Sequence, residues 1–298
     1  MPSSFVTTVE EERRRNPELK EDDLQHLRDW NSKQAHLPTI PDDQLILFLH
    51  SCYWSLERAK KTIDACFTIR THSPEFFSRR DPLLPEVQSM WEVIDTVPLP
   101  ERDLVGNKVV LCRLGITDPS KFIHGDAVKV FLLAMDVVLA EGTQPGFRFI
   151  YDVRGLALGH LYRVNMALLR KYMVYIQEGL RLRMKSIDII NHSPLIDKFM
   201  ALALPLMKQE MVQQIKFHST MEDLYKVVPQ RILPSDYGGQ AGSVSSLKEA
   251  LKKRMEANRK WYLENEKLLV DENKRRGSSV NAADIFGMEG SFKKLDLD

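Results

Sequence analysis

Apolar residues recur at helical spacing through the first third of the chain. In residues 17–34, Leu19, Leu24, Leu27 and Trp30 fall near one face, and Asn16 followed by Pro17 reads as an N-cap and first helical position. Pro38 and Pro41 break the pattern. The stretch DDQLILFLHSCYWSLERAKKTIDACFTIRTHSPEFF then reads as two helices, the second capped by Ser55 and burying Leu56, Ala59, Ile63, Cys66 and Phe67. Prolines between Pro74 and Pro100 predict a linker. Beyond it the period changes. Residues 109–116, 147–153, 185–191 and 213–218 are short β-branched or aromatic runs, read as strands, and the longer stretches 124–142, 160–180 and 194–211 read as helices. Such alternation predicts an α/β fold with a mostly parallel sheet behind a helical N-terminal lobe.

Turn signals in PQRILPSDYGG close this region. A charged helix is expected from Leu247 to about Asp271, with Leu251, Met255, Tyr262 and Leu269 as a thin apolar stripe. Gly277 begins a tail in which Ile285, Phe286, Met288, Phe292 and Leu295 predict docking onto the body. The expected division is a helical lobe over 1–92, an α/β domain over 93–240 and a C-terminal helix with its tail over 241–298. No internal repeat is visible.

Composition removes several function classes. With 42 Lys+Arg against 41 Asp+Glu in 298 residues, the chain lacks the positive excess that captures nucleic acid, so none is expected as a partner. Cys52, Cys66 and Cys112 are too few and too far apart for a disulfide framework or a zinc site. The segment MPSSFVTTVEEERRR puts charges where a secretory leader needs an apolar core, and the apolar run Val130–Ala140 is interrupted by Asp136. A soluble, cytoplasmic protein is the expectation.

Catalytic signatures are missing: no GxGxxG follows a strand, and neither GxxxxGK[ST], GxSxG nor HExxH occurs. No enzyme activity, metal or cofactor is therefore expected. Asp188 and His192 read as a strand-end polar pair rather than a catalytic dyad, and His160, His192 and His218 as ordinary histidines rather than a metal set. The basic runs Arg13–Arg15, Lys252–Arg254 and Lys274–Arg276 are flanked by acids, so solvated helix faces are the default reading, with a membrane contact the lesser one.

The unusual chemistry lies between residues 131 and 211. The run SPLIDKFMALALPLMKQEM is apolar over most of a helical circumference: Leu195, Ile196, Phe199, Met200, Leu202, Ala203, Leu204, Leu206 and Met207 cannot share one stripe. A fully buried core helix is one reading. Pro205 opposes it by weakening the hydrogen-bond ladder near the end. Phe147, Phe149 and Tyr151 alternate onto one strand face, Leu182, Met184 and Ile187 belong to the next strand region, and Phe131, Met135, Val164, Met166, Tyr172, Met173, Tyr175 and Ile176 come from the helical stretches. Tight sheet cores favour Val, Ile and Leu, whereas Met and aromatic side chains suit a cavity that adapts to an apolar guest. Core and cavity both remain open on these residues alone.

The order of segments resembles the CRAL-TRIO family of lipid and lipophile carriers over residues 17–240. The resemblance is carried by FIYDVRGLALGHL, by KSIDIINHSPLIDKFMALALPLM followed by IKFH, and by the closing ILPSDYGG; the GSFKKL ending is similar to insect members. It implies one apolar cavity floored by the sheet and closed by a mobile gate helix, here about Ser193–Met211. The residues it marks as ligand-binding are Phe131, Met135, Phe147, Phe149, Tyr151, Val164, Tyr172, Tyr175, Ile176, Leu182, Met184, Ile187, Leu195, Ile196, Phe199, Met200, Leu202, Ala203 and Met207. The implied ligand is one hydrophobic small molecule, of isoprenoid type such as a tocopherol or retinoid, exchanged at a transient membrane surface. A guest burying ~15 carbons gains on the order of 12 kcal/mol gross at about 0.8 kcal/mol per methylene.

One departure concerns phosphate. The positions that correspond to the basic cluster of the family's tocopherol carrier are Cys52, Arg183, Glu210 and Gln214. Arg183, with Lys185 nearby, is what remains for a phosphate contact, and the acid at Glu210 works against a phosphoinositide there. The runner-up functions are a lipid-sensing adaptor, working through a protein partner on the C-terminal helix, and a phospholipid-exchange protein using the same cavity.

Overall fold

The computed structural model describes residues 5–287. Six helices come first: α1 (Val9–Arg15), α2 (Glu21–Ser32), α3 (Asp42–Ser51), α4 (Leu56–Thr71), α5 (Pro74–Phe77) and α6 (Pro85–Val93). Strands β1 (Ile94–Arg102) and β2 (Lys108–Leu114) lead into helix α7 (His124–Ala140) and strand β3 (Phe147–Asp152). Next come α8 (Leu158–Tyr162), α9 (Met166–Val174) with a π-helical turn over Tyr175–Gly179, and β4 (Met184–Ile190). Helices α10 (Pro194–Ala203) and α11 (Gln209–Val212), strand β5 (Ile215–Phe217) and helix α12 (Met221–Tyr225) complete the sheet region. Helices α13 (Val244–Ala257), α14 (Arg259–Asn265) and α15 (Ala282–Phe286) follow.

The five strands lie in the order β1-β2-β3-β4-β5, with β1 antiparallel and the other pairings parallel. This is the expected α/β architecture with a mostly parallel sheet.

Several local expectations change. Asn16 does not cap a helix beginning at Pro17. It closes α1 instead, its Nδ2 donating to the Glu12 carbonyl at 2.9 Å, and α2 starts at Glu21 behind Lys20. The helix α1 went unread in the sequence. Its capping box pairs Thr8 with Glu11, its acids lead and its arginines trail, which suits the helix dipole. The expected linker before Pro100 is helix α6 and strand β1. Pro98 and Pro100 can lie in a strand because β1 is a sheet edge, where a missing N–H costs no ladder bond. The expected helix 160–180 breaks at Asn165, which caps α9 through its side chain, and the expected helix 194–211 ends at Ala203, just before Pro205. Ser55 caps α4 as read, accepting from the Arg58 N–H.

Helix α7 is the element buried nearly all round. Residues 127–130 and 132–140 are all buried, and the chain sets one acid, Asp136, among them. Arg80 and Arg181 meet its two carboxylate oxygens at 2.8 and 3.1 Å, so the buried charge is paired from two separate elements. Another buried chain crosses the sheet: Asp103 accepts from Arg148 at 2.8 Å, Arg148 donates to Asp188 at 2.7 Å, and Asp188 meets His218 at 2.6 Å. Asp188 is therefore not paired with His192, whose ring packs edge-on against Phe217.

The apolar stripe of the C-terminal helices is spent on the fold. Leu251, Met255 and Tyr262 are buried with α6 and α7, and the Tyr262 hydroxyl donates to the Leu133 carbonyl at 2.9 Å; Leu269 stays exposed. Phe286 docks into the core shared with the N-terminal helices and Ile285 packs against it, while Met288, Phe292 and Leu295 lie outside the described residues. The basic runs are engaged by acids: Arg13 with Glu21, Lys252 with Glu92, Arg254 with Glu141, and Arg275 with Asp64 and Glu272. Among the described residues no helix is long and apolar enough to cross a membrane, and no group of three His, Cys, Asp or Glu side chains is placed to hold a metal ion.

Candidate functional site: an apolar cavity under helix α10

The sheet face carrying the odd-numbered residues of β3 is covered in two different ways. Its N-terminal half lies under α7, where Phe147 packs against Met135, Val138 and Leu139 with no space left. Its C-terminal half is only partly covered: Phe149 still meets Phe131 of α7, with ring centres 6.1 Å apart. There Phe149 and Tyr151 form the floor of a cavity of about 260 Å³.

Strand β4 completes the floor through an irregularity. Phe147 pairs with Met184 but Phe149 with Ile187, so one extra residue is inserted into β4. That bulge lets Met184 and Ile187, three apart in sequence, face the same space. Ile189 and Ile215 of β5 extend the floor, and Phe131, Tyr172, Met173, Ile176 and Leu180 build the side wall. The roof is α10. Ile196, Phe199 and Met200 point inward at helical spacing, with Met207 and Met211 beyond its end. The wall is almost wholly carbon and sulfur.

Helix α10 is amphipathic in the usual sense, not buried all round. Ile196, Met200 and Ala203 are buried, whereas Leu202 and Leu204 keep 38% and 39% of their surface in contact with solvent. Helix α7, by contrast, is buried on nearly every side. Large apolar side chains are also exposed around this end: Phe217 on β5, and Leu158, Tyr162 and Met166 on α8 and α9. Val164, between α8 and α9, packs into the cluster that holds Phe199 and Leu206, which brings the α8–α9 junction up to α10.

Besides its buried apolar face, α10 is held by polar bonds just past its end. Gln177, in the π-helical turn, donates from Nε2 to the Leu206 carbonyl at 3.0 Å and accepts from the Lys208 N–H. Lys208 is further paired with Glu178 at the surface. The turn that carries this latch also lies against the N-terminal lobe, since a Cβ on Gly179 would come within 2.9 Å of the Cys66 Cα. Pi-helical turns are energetically poor and occur mostly where a function needs them.

Of the residues marked from the sequence, Phe131, Phe149, Tyr151, Tyr172, Ile176, Met184, Ile187, Ile196, Phe199, Met200 and Met207 line the cavity. The others do not. Met135, Phe147 and Leu182 belong to the packed half under α7. Val164 and Ala203 pack where α9 meets α10. Tyr175 turns away to meet the Phe77 ring at 4.8 Å in the N-terminal core. Leu195 is half-buried in the first turn of α10 and Leu202 faces solvent. The wall residues not marked from sequence are Val153, Leu156, Leu180, Ile189, Met211 and Ile215, with Met173 named only among the large side chains of its helix. Period-2 alternation continued through β4 and past the end of β3 was the available signal for Ile189 and Val153.

A second cavity, also about 260 Å³, lies beyond a partition formed by Phe131, Tyr151, Val153, Leu156 and Tyr172. Its lining includes Asp95, Thr96, Cys112, Arg113 and Asp152. Burial pushes the Cys112 thiol up to about 12, so it is neutral. Burial likewise raises both Tyr151 and Tyr172.

Arg183 and Lys185 both have partners within the chain. Arg183 donates from Nε to the His50 carbonyl at 2.7 Å and sits 4.2 Å from the centre of the Tyr53 ring, while Lys185 donates to the Tyr53 hydroxyl at 3.0 Å. Burial, with these two cations, lowers His50 to about 4.

Two family domains match in succession: the Pinta-like UBA domain over residues 16–87 and the CRAL/TRIO domain over 95–239. The mouse protein named alpha-tocopherol transfer protein-like is 26% identical over 254 residues, 83% of this chain and 73% of its own length, and the human protein of that name matches to the same degree. Rat clavesin-1 is 23% identical over 231 residues, 75% of this chain and 65% of its own. Among solved structures, the crystal structure of Sfh5 aligns with a TM-score of 0.46 at 11% identity, covering 81% of this chain and 92% of that one, a likeness too low to carry an argument.

Proposed function

The chain belongs to the CRAL-TRIO family, and we propose that it is a non-enzymatic cytoplasmic carrier that holds one hydrophobic small molecule under α10 and exchanges it at membranes. The observation that carries this reading is a cavity with an almost purely apolar wall, roofed by a helix whose own outer face bears exposed leucines. Water in such a space finds no hydrogen-bond partners, so an apolar guest replaces it at a gain of about 25 cal/mol per Å² of surface buried.

The same residues support exchange at a bilayer. Lifting α10 in water would expose Ile196, Phe199 and Met200 at roughly 1.5–3 kcal/mol each. Against lipid that cost largely disappears, and Leu202, Leu204 and Phe217 are already outside to make the contact. An isoprenoid-type guest, of tocopherol or retinoid size, fits a wall with so few polar groups. The kinship with a protein named as tocopherol transfer protein-like points the same way. Phosphoinositide coupling through Arg183 and Lys185 is disfavoured, because both cations are engaged with Tyr53 and the backbone of α3.

The test is transfer of retinol from donor to acceptor vesicles, followed by its fluorescence. The wild-type chain should accelerate transfer, and Phe199→Ser together with Leu202→Ser should slow it by at least tenfold. Equal rates with and without the protein would sink the carrier reading.

A further inference from the structure

Strand β5 leaves the sheet with an open edge. The Ile187 N–H donates to the Gln214 carbonyl and the His218 N–H to the Ile189 carbonyl, both at 2.9 Å, so the even-numbered residues turn their peptide groups towards β4. In a parallel pairing the alternate residues face the other way, and Ile215 and Phe217 therefore hold their N–H and C=O groups out at the edge. Such an edge is a template for another strand.

Beside it runs an apolar groove of about 510 Å³, which shares only Met200 and Ile215 with the cavity under α10. Ala201, Leu204, Val212 and Phe217 complete its apolar wall, with Asp197 as its one charged group. Leu204 and Phe217 are exposed. Lys216, between the two edge residues, is exposed on the opposite sheet face. Among the described residues neither Asp197 nor Lys216 has an ion-pair partner.

The chain runs on past Gly287 as MEGSFKKLDLD, whose last six residues alternate: Lys293, Leu295 and Leu297 fall on one side of an extended strand, and Lys294, Asp296 and Asp298 on the other. Laid along the β5 edge, the first set puts two leucines over the groove and a lysine beside Asp197, and the second puts an acid beside Lys216. The starting point is close. Arg170 of α9 donates to the Phe286 and Gly287 carbonyls at 3.2 and 3.5 Å, and Leu169 and Met173 of the same helix pack with Leu206, two residues from the groove's Leu204. Crossing one helix takes about 10–12 Å, and the seven residues 288–294 span up to about 23 Å.

We propose that residues 293–298 add a sixth strand to the β5 edge, with Leu295 and Leu297 seated in the groove beside α10. The docking is independent of any guest. It covers Leu204 and Phe217, two of the residues that the carrier reading presents to a bilayer, so tail and bilayer compete for the same surface.

Amide hydrogen exchange at Ile215 and Phe217, followed by NMR in the full chain, tests it. Both amides should exchange at least tenfold more slowly in wild type than in Leu295→Ser/Leu297→Ser, while the Lys216 and His218 amides, bonded to β4, stay the same. Asp296→Lys should also speed exchange at the edge, and adding Lys216→Asp should restore the protection. Equal exchange at Ile215 and Phe217 in wild type and the serine variant overturns the docking. Protection that rises with protein concentration also overturns it, and assigns the edge to a second copy. Vesicles of dioleoylphosphatidylcholine should remove the protection; protection that persists beside them overturns the competition and leaves the docking.

Discussion

Two halves of one sheet face, a few residues apart on β3, are finished in opposite ways. Under α7, Phe147 meets a helix buried on nearly every side and fastened through Asp136 to two buried arginines. Under α10, Phe149 and Tyr151 also line a cavity, and the covering helix is fastened by its buried Ile196 and Met200 and, past its end, by a glutamine and a surface ion pair. The apolar composition of the two regions is similar. What separates structure from function here is how each cover is tied down: buried charge pairs cost a great deal to break, whereas half-exposed hydrogen bonds are exchanged for water at little cost.

The largest expected effect breaks the tight half. Asp136→Ala leaves Arg80 and Arg181 buried beside each other without a counter-charge, and urea unfolding should show a loss of about 3–5 kcal/mol. Guest binding by the fraction still folded should be unchanged. The comparison itself is sharpened by a pair of substitutions on β3. Phe147→Ala opens a hole in a packed core and should cost about 3–4 kcal/mol. Phe149→Ala only widens a space that exists already, and should cost about half as much in the same urea experiment.

Acid should act on the packed side as well. His50 is held near 4 against an ordinary value of about 6.5, chiefly by burial and then by Arg183 and Lys185. The unfolded chain therefore takes up a proton first as the pH falls. This contribution to stability is complete above about 6.5 and declines towards 4, by about 2 kcal/mol, in urea midpoints measured across that range. His50→Gln should flatten the slope in that window; an unchanged slope would place its origin elsewhere.

The smallest change in stability belongs to the loose half. Gln177→Leu removes two hydrogen bonds from the end of α10 and should cost only about 1 kcal/mol. Guest release into acceptor vesicles should nevertheless quicken severalfold, because against lipid the apolar cost of lifting α10 largely disappears and these bonds are a large part of what remains. Stability loss without faster release would mean that Gln177 merely supports the turn.

Much of this was legible in the sequence because it follows from period. The helical lobe and the parallel strands can be read from spacing, whereas Ile196, Phe199 and Met200 were marked without being singled out from the apolar run around them. What spacing could not give was which cover lies close. Phe147 and Phe149 are the same residue type on the same strand face, and only the path of α7 leaves one wholly within a core and the other where that core meets a cavity. Met135 and Leu182 were misplaced for the same reason. Strand β1 stayed hidden because Pro98 and Pro100 mark a linker unless the strand is known to be an edge. The ties of both covers, Arg80 and Arg181 to Asp136 and Gln177 to Leu206, join distant segments and leave no local trace.

The most direct measurement is native mass spectrometry of the full chain purified from the cells that make it, with extraction and identification of whatever it holds. One isoprenoid-type molecule per chain is the predicted result. A chain that comes away empty and takes up no retinol would contradict it, and would leave the space under α10 a packing defect rather than a binding site.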